Sequence, residues 1–493
     1  MNFIWITFKI IMENYIKNYF LICVLSINYF SLQSQNIFFQ SYGGSGNDYG
    51  ENIISTIDSG FLAIGATESY GNGLTDMYFV KTDIKGNVLW HKTFGGPNID
   101  YGKSVVQTLD SGFIACGYSN SENLNYDIFL VKVNKNGILQ WSKKIGGIDW
   151  DFGNKIIRSV VDSNHFYVVG KTFNYGSING DGFVLKINSS GDSLWMKTYG
   201  GNMEDEFKDI IQSKDGKLYC IGNNKSAKPD PRLWISCQSE NGDTLWNYYT
   251  DSTYSSGRSI TKVGEKIVFC GSVKRPRINI TNANSYYLIG GIDTSGNDLF
   301  YADYDYYSEL EESCVRVIKK TNSNNYHIIS NITYLNENKI FHAELRGPWV
   351  QGGAYNINGN QDDIVHGADT LIFSDGFVAI GTTQETNNGF TDIFISKTEN
   401  GNWDNTFSNN LLLSKKNVLT NEISVFPNPV EDFIEINNVR VGSEINIYNL
   451  RGVLIESFIY KKSKYNLMHL KSGFYLMQNQ DGINNLFIKI IKL

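Results

Sequence analysis

Tyr42-Gly43-Gly44-Ser45-Gly46-Asn47-Asp48-Tyr49-Gly50 opens a stretch that continues through Asp58-Ser59-Gly60-Phe61, Asp76, Val80-Lys81 and Gly86 to Trp90. The same order returns at once: Gly95-Gly96, Asp100-Tyr101-Gly102, Asp110-Ser111-Gly112-Phe113, Asp127, Val131-Lys132, Gly137 and Trp141. Similarity at a fixed period outranks any single-residue signal, because each unit is one supersecondary element stacked on its neighbours. Working outward, late aromatic anchors fall at Trp90, Trp141, Trp195, Trp246, Phe300, Trp349 and Trp403, spaced 49 to 54 residues apart.

Each unit holds four short apolar runs, in the first copy Asn52–Thr56, Gly60–Gly65, Met77–Thr82 and Val88–Thr93. They are rich in Ile, Val, Phe and Tyr and bounded by Gly, Asp or Asn, with no sustained helical period, so they read as strands. Four strands in roughly 50 residues make a propeller blade. The second strand recurs seven times, from Gly60–Gly65 to Gly376–Gly381, and the third seven times, from Met77–Thr82 to Ile393–Thr398. The expected fold is therefore all-β: a seven-bladed β-propeller over residues 36–407, then a small C-terminal Ig-like β-sandwich. Copies five and six have lost the Gly-Gly opening and most Asp markers. Ile37-Phe38-Phe39 stands before Gly43-Gly44 as an orphan fourth strand and is expected to complete the last blade, with Trp403–Phe407 as the alternative.

Composition supports this reading: 47 Gly, 7 Pro and 14% aromatic residues suit short strands joined by turns. A net charge of -7 without a basic stripe argues against nucleic acid, whose binders must neutralise phosphates. Lys9 and Lys17 before the apolar run Tyr19 to Phe30, then Ser31 to Gln35, read as a signal peptide over residues 1–34, with Met1 or Met12 as the start. No later segment approaches a membrane span. Of six cysteines, Cys23 lies in this leader; an odd remainder (Cys116, Cys220, Cys237, Cys270, Cys314) is a poor disulfide framework. Cys116 and Cys270 stand where other copies carry Ile64, Val169 and Ile380, and so read as small buried apolar side chains.

The repeated acids Asp48, Asp100, Asp151 and Asp205 each follow the second Gly of the opening pair by four positions. A catalytic acid is needed once or twice rather than once per blade, so they read as turn-fixing acceptors, with a per-blade cation site as the alternative. Asp76, Asp127, Asp181 and Asp392, just before the third strand, are read alike. The Trp anchors read as inter-blade packing rather than sugar platforms.

After a linker at 408–421 the repeat gives way to Ile423-Ser424-Val425-Phe426-Pro427-Asn428-Pro429 with Asp432, then Ile447-Tyr448-Asn449 with Gly452, then Ser472-Gly473-Phe474-Tyr475-Leu476, and a basic apolar tail. This ordered set, within residues 422–493, closely resembles the type A C-terminal sorting domain of the type IX secretion system of Bacteroidota. The resemblance implies that Pro427, Asn428, Pro429, Asp432, Tyr448, Gly452, Gly473 and Tyr475 carry the sorting signal. It implies type IX secretion machinery as a partner, export by the leader, and a final place outside the cell or on the outer-membrane surface. The repeats resemble bacterial β-propeller repeats of such secreted cargo over Ser41–Gly201 and Asp375–Lys397. That likeness implies a fold and no activity.

No catalytic, metal or cofactor constellation stands out: there is no Gly-x-Ser-x-Gly, His-Glu-x-x-His or phosphate loop, and the six His lack ligand spacing. The Gly-Gly turns and the loops between second and third strands share one face. Those loops carry Tyr70, Tyr118, Tyr126, Phe173 and Tyr175, and Ser272–Asn284 adds Lys274, Arg275 and Arg277 as a basic loop suited to an acidic partner. Variable polar-aromatic loops on a rigid scaffold are where recognition concentrates. The expectation is a monomeric binding or scaffold protein that recognises a glycan or protein through this face. The alternative is a secreted polysaccharide hydrolase or lyase with acids in the propeller pore, and a third reading is a passive structural component.

Overall fold

The computed structural model describes residues 38–398, apart from 123–124, 228–229, 252–253, 276–283, 305–310, 321–324, 335–336, 347–348, 357–362, 373–375 and 385–390. It also describes 424–492, apart from 427–432, 438–442, 450–453, 462–463, 472 and 482–483. The expected leader, the linker and Trp403–Phe407 lie outside the described residues. Every regular element among those described is a β-strand, and the chain divides into two units, Met1–Ser408 and Asn409–Leu493.

In the first unit β1 (Phe38–Tyr42) precedes a sheet made of β2 (Asp48–Ser55), β3 (Phe61–Thr67), β4 (Asp76–Thr82) and β5 (Val88–Phe94), antiparallel and in chain order. β3 and β4 are buried along their whole length, which is why they are continuous apolar runs, while β2 alternates and β5 is largely exposed. Five further sheets repeat this order over 100–145, 151–199, 205–249, 255–304 and 311–356, including the two copies with faded markers. The seventh holds β26 (Asp363–Thr370), β27 (Phe377–Thr383) and β28 (Asp392–Lys397), with β1 as its fourth strand. Consecutive four-stranded antiparallel sheets of this kind are consistent with a β-propeller.

β1 lies antiparallel to β28, with Phe38 opposite Lys397 as Trp90 is opposite Lys81. Phe38 thereby takes the anchor position that the sequence spacing assigned to Trp403, and Tyr42 Oη donates to Gly86 O at 2.7 Å. The first strands β2, β6 (Asp100–Gln107), β10 (Asp151–Arg158), β14 (Asp205–Gln212), β18 (Ser255–Val263), β22 (Glu311–Lys319) and β26 touch one another in succession, and β26 touches β2. At that junction the Ser55 N–H donates to Asp369 Oδ2 at 2.9 Å and Ser55 Oγ to Thr370 O at 2.8 Å.

The anchors pack between sheets. Trp90 Nε1 donates to Lys135 O at 3.2 Å, Trp141 Nε1 to Ser189 O at 3.3 Å and Trp246 Nε1 to Thr294 O at 3.2 Å, each on the next sheet's outer turn. A Cβ on Gly137 would come within 2.8 Å of the Trp90 ring, so that turn takes a glycine at a φ of 75°. The Asp markers act as turn acceptors: Asp48 Oδ2 receives Gly44 N–H at 2.9 Å and Ser69 Oγ at 2.6 Å, and Asp205 Oδ2 receives Gly201 N–H at 2.9 Å and Ser226 Oγ at 2.6 Å. A Cβ on Gly43 would lie 1.9 Å from Asp392 Oδ1 and 2.6 Å from Asp48 Oδ2, so the first Gly of the pair threads between two carboxylates. All five described cysteines are buried and free.

One expected loop is shorter than its sequence suggested. Ser272 to Arg275 continue β19 (Lys266–Arg275), which pairs along its full length with β20 (Asn284–Asp293), because buried Val273 sustains the strand. The C-terminal unit holds two sheets. One joins β29 (Ser424–Phe426), β30 (Phe433–Asn437) and β33 (Lys464–Asn466); the other orders β32 (Leu454–Ile459), β31 (Glu444–Asn449), β34 (Gly473–Asp481) and β35 (Asn484–Lys492). Ile445, Ile447, Leu467, Leu470 and Met477 form its core.

Two predictions follow from these contacts. Phe38→Ala removes a buried ring from the closing strand and is expected to lower stability by about 3 kcal/mol, read as a fall in the denaturant midpoint. Burial and then Asp48 push the Asp392 carboxyl up to about 6. A folded value above the unfolded one stabilises below the unfolded pKa and loses that contribution as pH rises through the folded pKa. Asp392→Asn should therefore add about 1–2 kcal/mol at pH 7.5 and nothing at pH 3.5, which thermal melts at both pH values will show.

Candidate functional site

Two features share the loop side of the first unit: an aromatic surface and the mouth of a central channel. Both are built from the first strands and the loops that enter them.

Phe152 and Tyr118 have ring centroids 5.1 Å apart, Tyr118 and Tyr126 5.4 Å, and Tyr126 and Trp150 5.9 Å. Trp150 continues the cluster to Phe173 at 6.4 Å. Tyr101 stacks on Tyr118 at 5.3 Å with only 4° between planes, and joins Tyr49 at 6.2 Å. Three of the five aromatics expected on this face, Tyr118, Tyr126 and Phe173, thus belong to one contiguous cluster. Trp150 is 51% exposed and neighbouring Ile148 90% exposed, in a turn where apolar side chains have no folding reason to face water.

Tyr70 and Tyr175 stand apart from the cluster. Their hydroxyls donate to Gly43 O at 2.8 Å and Gly146 O at 3.0 Å, the same position in two repeats, so part of their role is to brace the Gly-Gly turn. Lys274 is exposed at the end of β19; the Arg275 side chain and Arg277 lie outside what is described. Sequence reasoning missed Tyr101, Trp150 and Phe152, which sit in the Gly-Gly turns or the first-strand starts rather than the longer loops.

The channel is lined by the first strands. Each carries a β-bulge at the same step, and the extra residue is Glu51, Lys103, Asn154, Lys208, Arg258, Val315 or His366. All seven line one cavity of about 170 Å³, together with Lys155, Glu206 and Arg316. Bulges re-aim side chains at functional rims. Below lies an aliphatic belt of Ile54, Val106 and Ile157, and a second cavity of about 540 Å³ that also takes in Lys155 and Asp369.

The acids of the channel are engaged. Glu51 Oε2 meets Lys103 Nζ at 2.9 Å and Glu51 Oε1 receives Tyr101 Oη at 3.0 Å. Burial would raise the Glu51 carboxyl, yet Lys103, then His366 and Tyr101, hold it below its usual range. Glu206 Oε1 receives Asn154 Nδ2 at 2.9 Å, and Asp209 Oδ2 meets Arg316 Nη1 at 2.8 Å. Asp369 accepts the backbone N–H of Ser55. A glycosidase needs an acid and a second carboxylate both directed at substrate. These carboxylates are held by neighbouring strands, and the hydrolase alternative is not favoured.

Away from this face, His327 Nδ1 and His342 Nε2 lie 3.0 Å apart, buried against Phe377, although the sequence separates them by 15 positions. Among the described residues no three His, Cys, Asp or Glu side chains gather into a metal cluster. Nor is any helix there long and apolar enough to cross a membrane.

In the C-terminal unit Tyr448 Oη donates to Gln478 Oε1 at 2.8 Å, linking β31 to β34, and Tyr475 Oη donates to Lys471 O at 2.8 Å. Gly473 opens β34 opposite Lys492. Pro427, Asn428, Pro429, Asp432 and Gly452 lie outside the described residues.

Residues 424–493 match the family described as secretion system C-terminal sorting domain. No curated protein matches the chain. Among solved structures it is similar to PorZ, a bacterial surface component of the type IX secretion system of Porphyromonas gingivalis, at 10% identity and a TM-score of 0.34, over 87% of this chain and 65% of that one. It is also similar to Sqt1 from Chaetomium thermophilum (10% identity, TM-score 0.42, 74% of this chain, 100% of that one). A third likeness is to the plexin A4 extracellular region (7% identity, TM-score 0.46, 91% and 62%). All three TM-scores lie below 0.5, and none of these proteins lends this chain an activity. The chain carries a type IX secretion C-terminal sorting domain behind a run of four-stranded sheets, which marks it as a secreted or cell-surface cargo of that machinery.

Proposed function

We propose that this cargo is a surface or released binding protein, recognising a glycan or protein through the loop face of a monomeric seven-bladed β-propeller. In this reading residues 1–34 are a cleaved signal peptide, 36–407 the propeller, 408–421 a linker and 422–493 an Ig-like sorting sandwich, in a bacterium of the Bacteroidota. The closed circuit of first-strand contacts supports the blade count, and the two C-terminal sheets support the sandwich. Tyr118, Tyr126 and Phe173 supply the recognition surface with Trp150 and Phe152; Tyr70 and Tyr175 are assigned to the same face, and Lys274, Arg275 and Arg277 to its basic part.

The observation that carries the reading is the contiguous aromatic cluster ending in half-exposed Trp150 beside exposed Ile148. Aromatic rings offer large contact area at low entropic loss, and apolar patches rimmed by polar residues mark interaction sites. Glycan-array and pull-down screening of the secreted protein should give a ligand whose affinity drops about tenfold in Trp150→Ala, as expected for loss of a binding anchor. The melting temperature should stay close to wild type. A ligand indifferent to Trp150 would remove the loop face from the account. Deleting residues 424–493 should leave the protein in the periplasm on fractionation, and its appearance outside the cell without them would refute the address.

A further inference from the structure

Internal repetition makes every blade a control for the others. Marker positions keep their residue type in several copies, as Asp48, Asp100, Asp151 and Asp205 do. The bulge residues do not, although all seven occupy the same backbone step: three are cations, one is an acid, and the rest are Asn154, Val315 and His366. Blade geometry therefore does not dictate which residue stands there.

Their charge also runs against the protein. The chain has 43 Lys and Arg against 50 Asp and Glu, yet the 170 Å³ mouth is lined by five cations, Lys103, Lys155, Lys208, Arg258 and Arg316, against Glu51 and Glu206. Lys103 and Arg316 have carboxylate partners; Lys208 reaches only Ser256 Oγ, at 3.3 Å. Lys155 and Arg258 make no hydrogen bond or close ion pair among the described residues. Burial, and then Arg316, push the Lys155 ammonium down to about 8, and burial also lowers Lys208. Lys155 and Lys208 are half-buried and Arg258 is exposed at the rim, and the acids near Lys155, Asp209 and Asp369, are already held by Arg316 and by the Ser55 N–H. A mouth with this cation excess suits an anion that arrives from outside. Tyr49, Tyr101 and Phe152 sit two residues before three of the bulges, on the loop side of the cation ring. Rings above cations suit a ligand with an apolar ring face and a negative group.

We propose that this mouth binds the carboxylate of an acidic sugar, a uronate residue of a polysaccharide, with Lys208, Arg258 and Lys155 around the carboxylate and the aromatic rim against the sugar ring. This rests on the loop-face reading and names its ligand class. Calorimetric titration of the full secreted chain with an oligouronate, its uncharged counterpart, a free dicarboxylate and inorganic phosphate tests it. The oligouronate should bind, more weakly as salt rises, and the uncharged counterpart should not. A Lys208→Gln/Arg258→Gln variant should lose about tenfold or more in affinity with its melting temperature unchanged, as expected for lost charge-assisted contacts. Lys155→Met should bind more weakly while melting higher, a combination that a purely structural lysine would not give.

Equal binding of the uncharged sugar, wild-type affinity in the double variant, or no binding of the oligouronate overturns the proposal. Binding of phosphate or dicarboxylate alone also overturns it, since it leaves an anion site without a sugar. A ligand lost in Trp150→Ala but untouched by the double variant would keep the loop-face reading and discard this one.

Discussion

The constraint on which the first unit depends is that a run of sheets must not end in an unpaired edge. An open array leaves a terminal edge free to pair with another chain. Here β1 takes the outer place beside β28, so that the earliest described strand and the latest of that unit lie in one sheet. Joining the ends this way fixes the number of first strands in the circuit, and with it the channel they enclose. The outer strand of each sheet still faces water, and it is guarded by charge: Lys92 lies on β5, and Lys143, Lys144 and Lys197 on the equivalent strands. Lys197 Nζ meets Asp243 Oδ1 of the next sheet at 2.8 Å, so the guard also stitches neighbours together.

The repeat is legible because its markers are partners of one another. Asp58 of the Asp-Ser-Gly turn and Lys81 of the third strand, 23 positions apart, form one buried-end ion pair at 3.0 Å, and Asp110 with Lys132 repeats it at 2.8 Å. The pair is not kept in every sheet: the third retains the lysine, Lys186 opposite Trp195, but turns it to Glu240 of the next sheet at 3.2 Å. In the fourth sheet the lysine position is Cys237, opposite Trp246 as Lys81 is opposite Trp90, and Asp215 turns to Lys217 at 3.0 Å. In the fifth, Gly291 takes the lysine position and Gly264 lies in the turn. The ion pair can thus be lost one member at a time, and the apolar pattern is enough to keep the strands.

Strand existence, the closing role of β1, the inter-sheet work of the tryptophans and the turn-fixing role of the aspartates all followed from periodicity. What did not follow is whatever depends on a bulge. A one-residue insertion shifts the alternation of the two faces by one step, but within a short strand the shift does not say which side chain is turned to the channel, and Lys103, Lys208 and Arg258 were not singled out. The aromatic cluster was half visible: Tyr118 and Tyr126 were noticed as loop residues, although Tyr118 lies in the strand Phe113–Ser119 opposite Tyr101, whereas Tyr101 and Phe152 occupy the marker position after Asp and passed as part of the repeat. Ser272–Arg275 misled in the opposite direction, because a basic polar stretch kept pairing around buried Val273.

The channel shows how a repetitive scaffold separates folding from recognition. In two of the first strands the residue after the bulge is committed: Asn52 Oδ1 takes the Val105 N–H at 3.3 Å and Asp209 Oδ2 the Ile260 N–H at 3.1 Å, tying one sheet to the next. Of the bulged residues Asn154 also ties one sheet to the next, its Nδ2 donating to Phe207 O at 2.9 Å, while the others differ in type from sheet to sheet. Beneath the ring, at the aliphatic belt, the channel widens into the larger cavity of about 540 Å³. The aromatic rim and the longest loops lie on the opposite, loop side. A ligand arriving there meets ring faces first and cations second, an order that favours a neutral ring bearing a charged substituent over a bare ion.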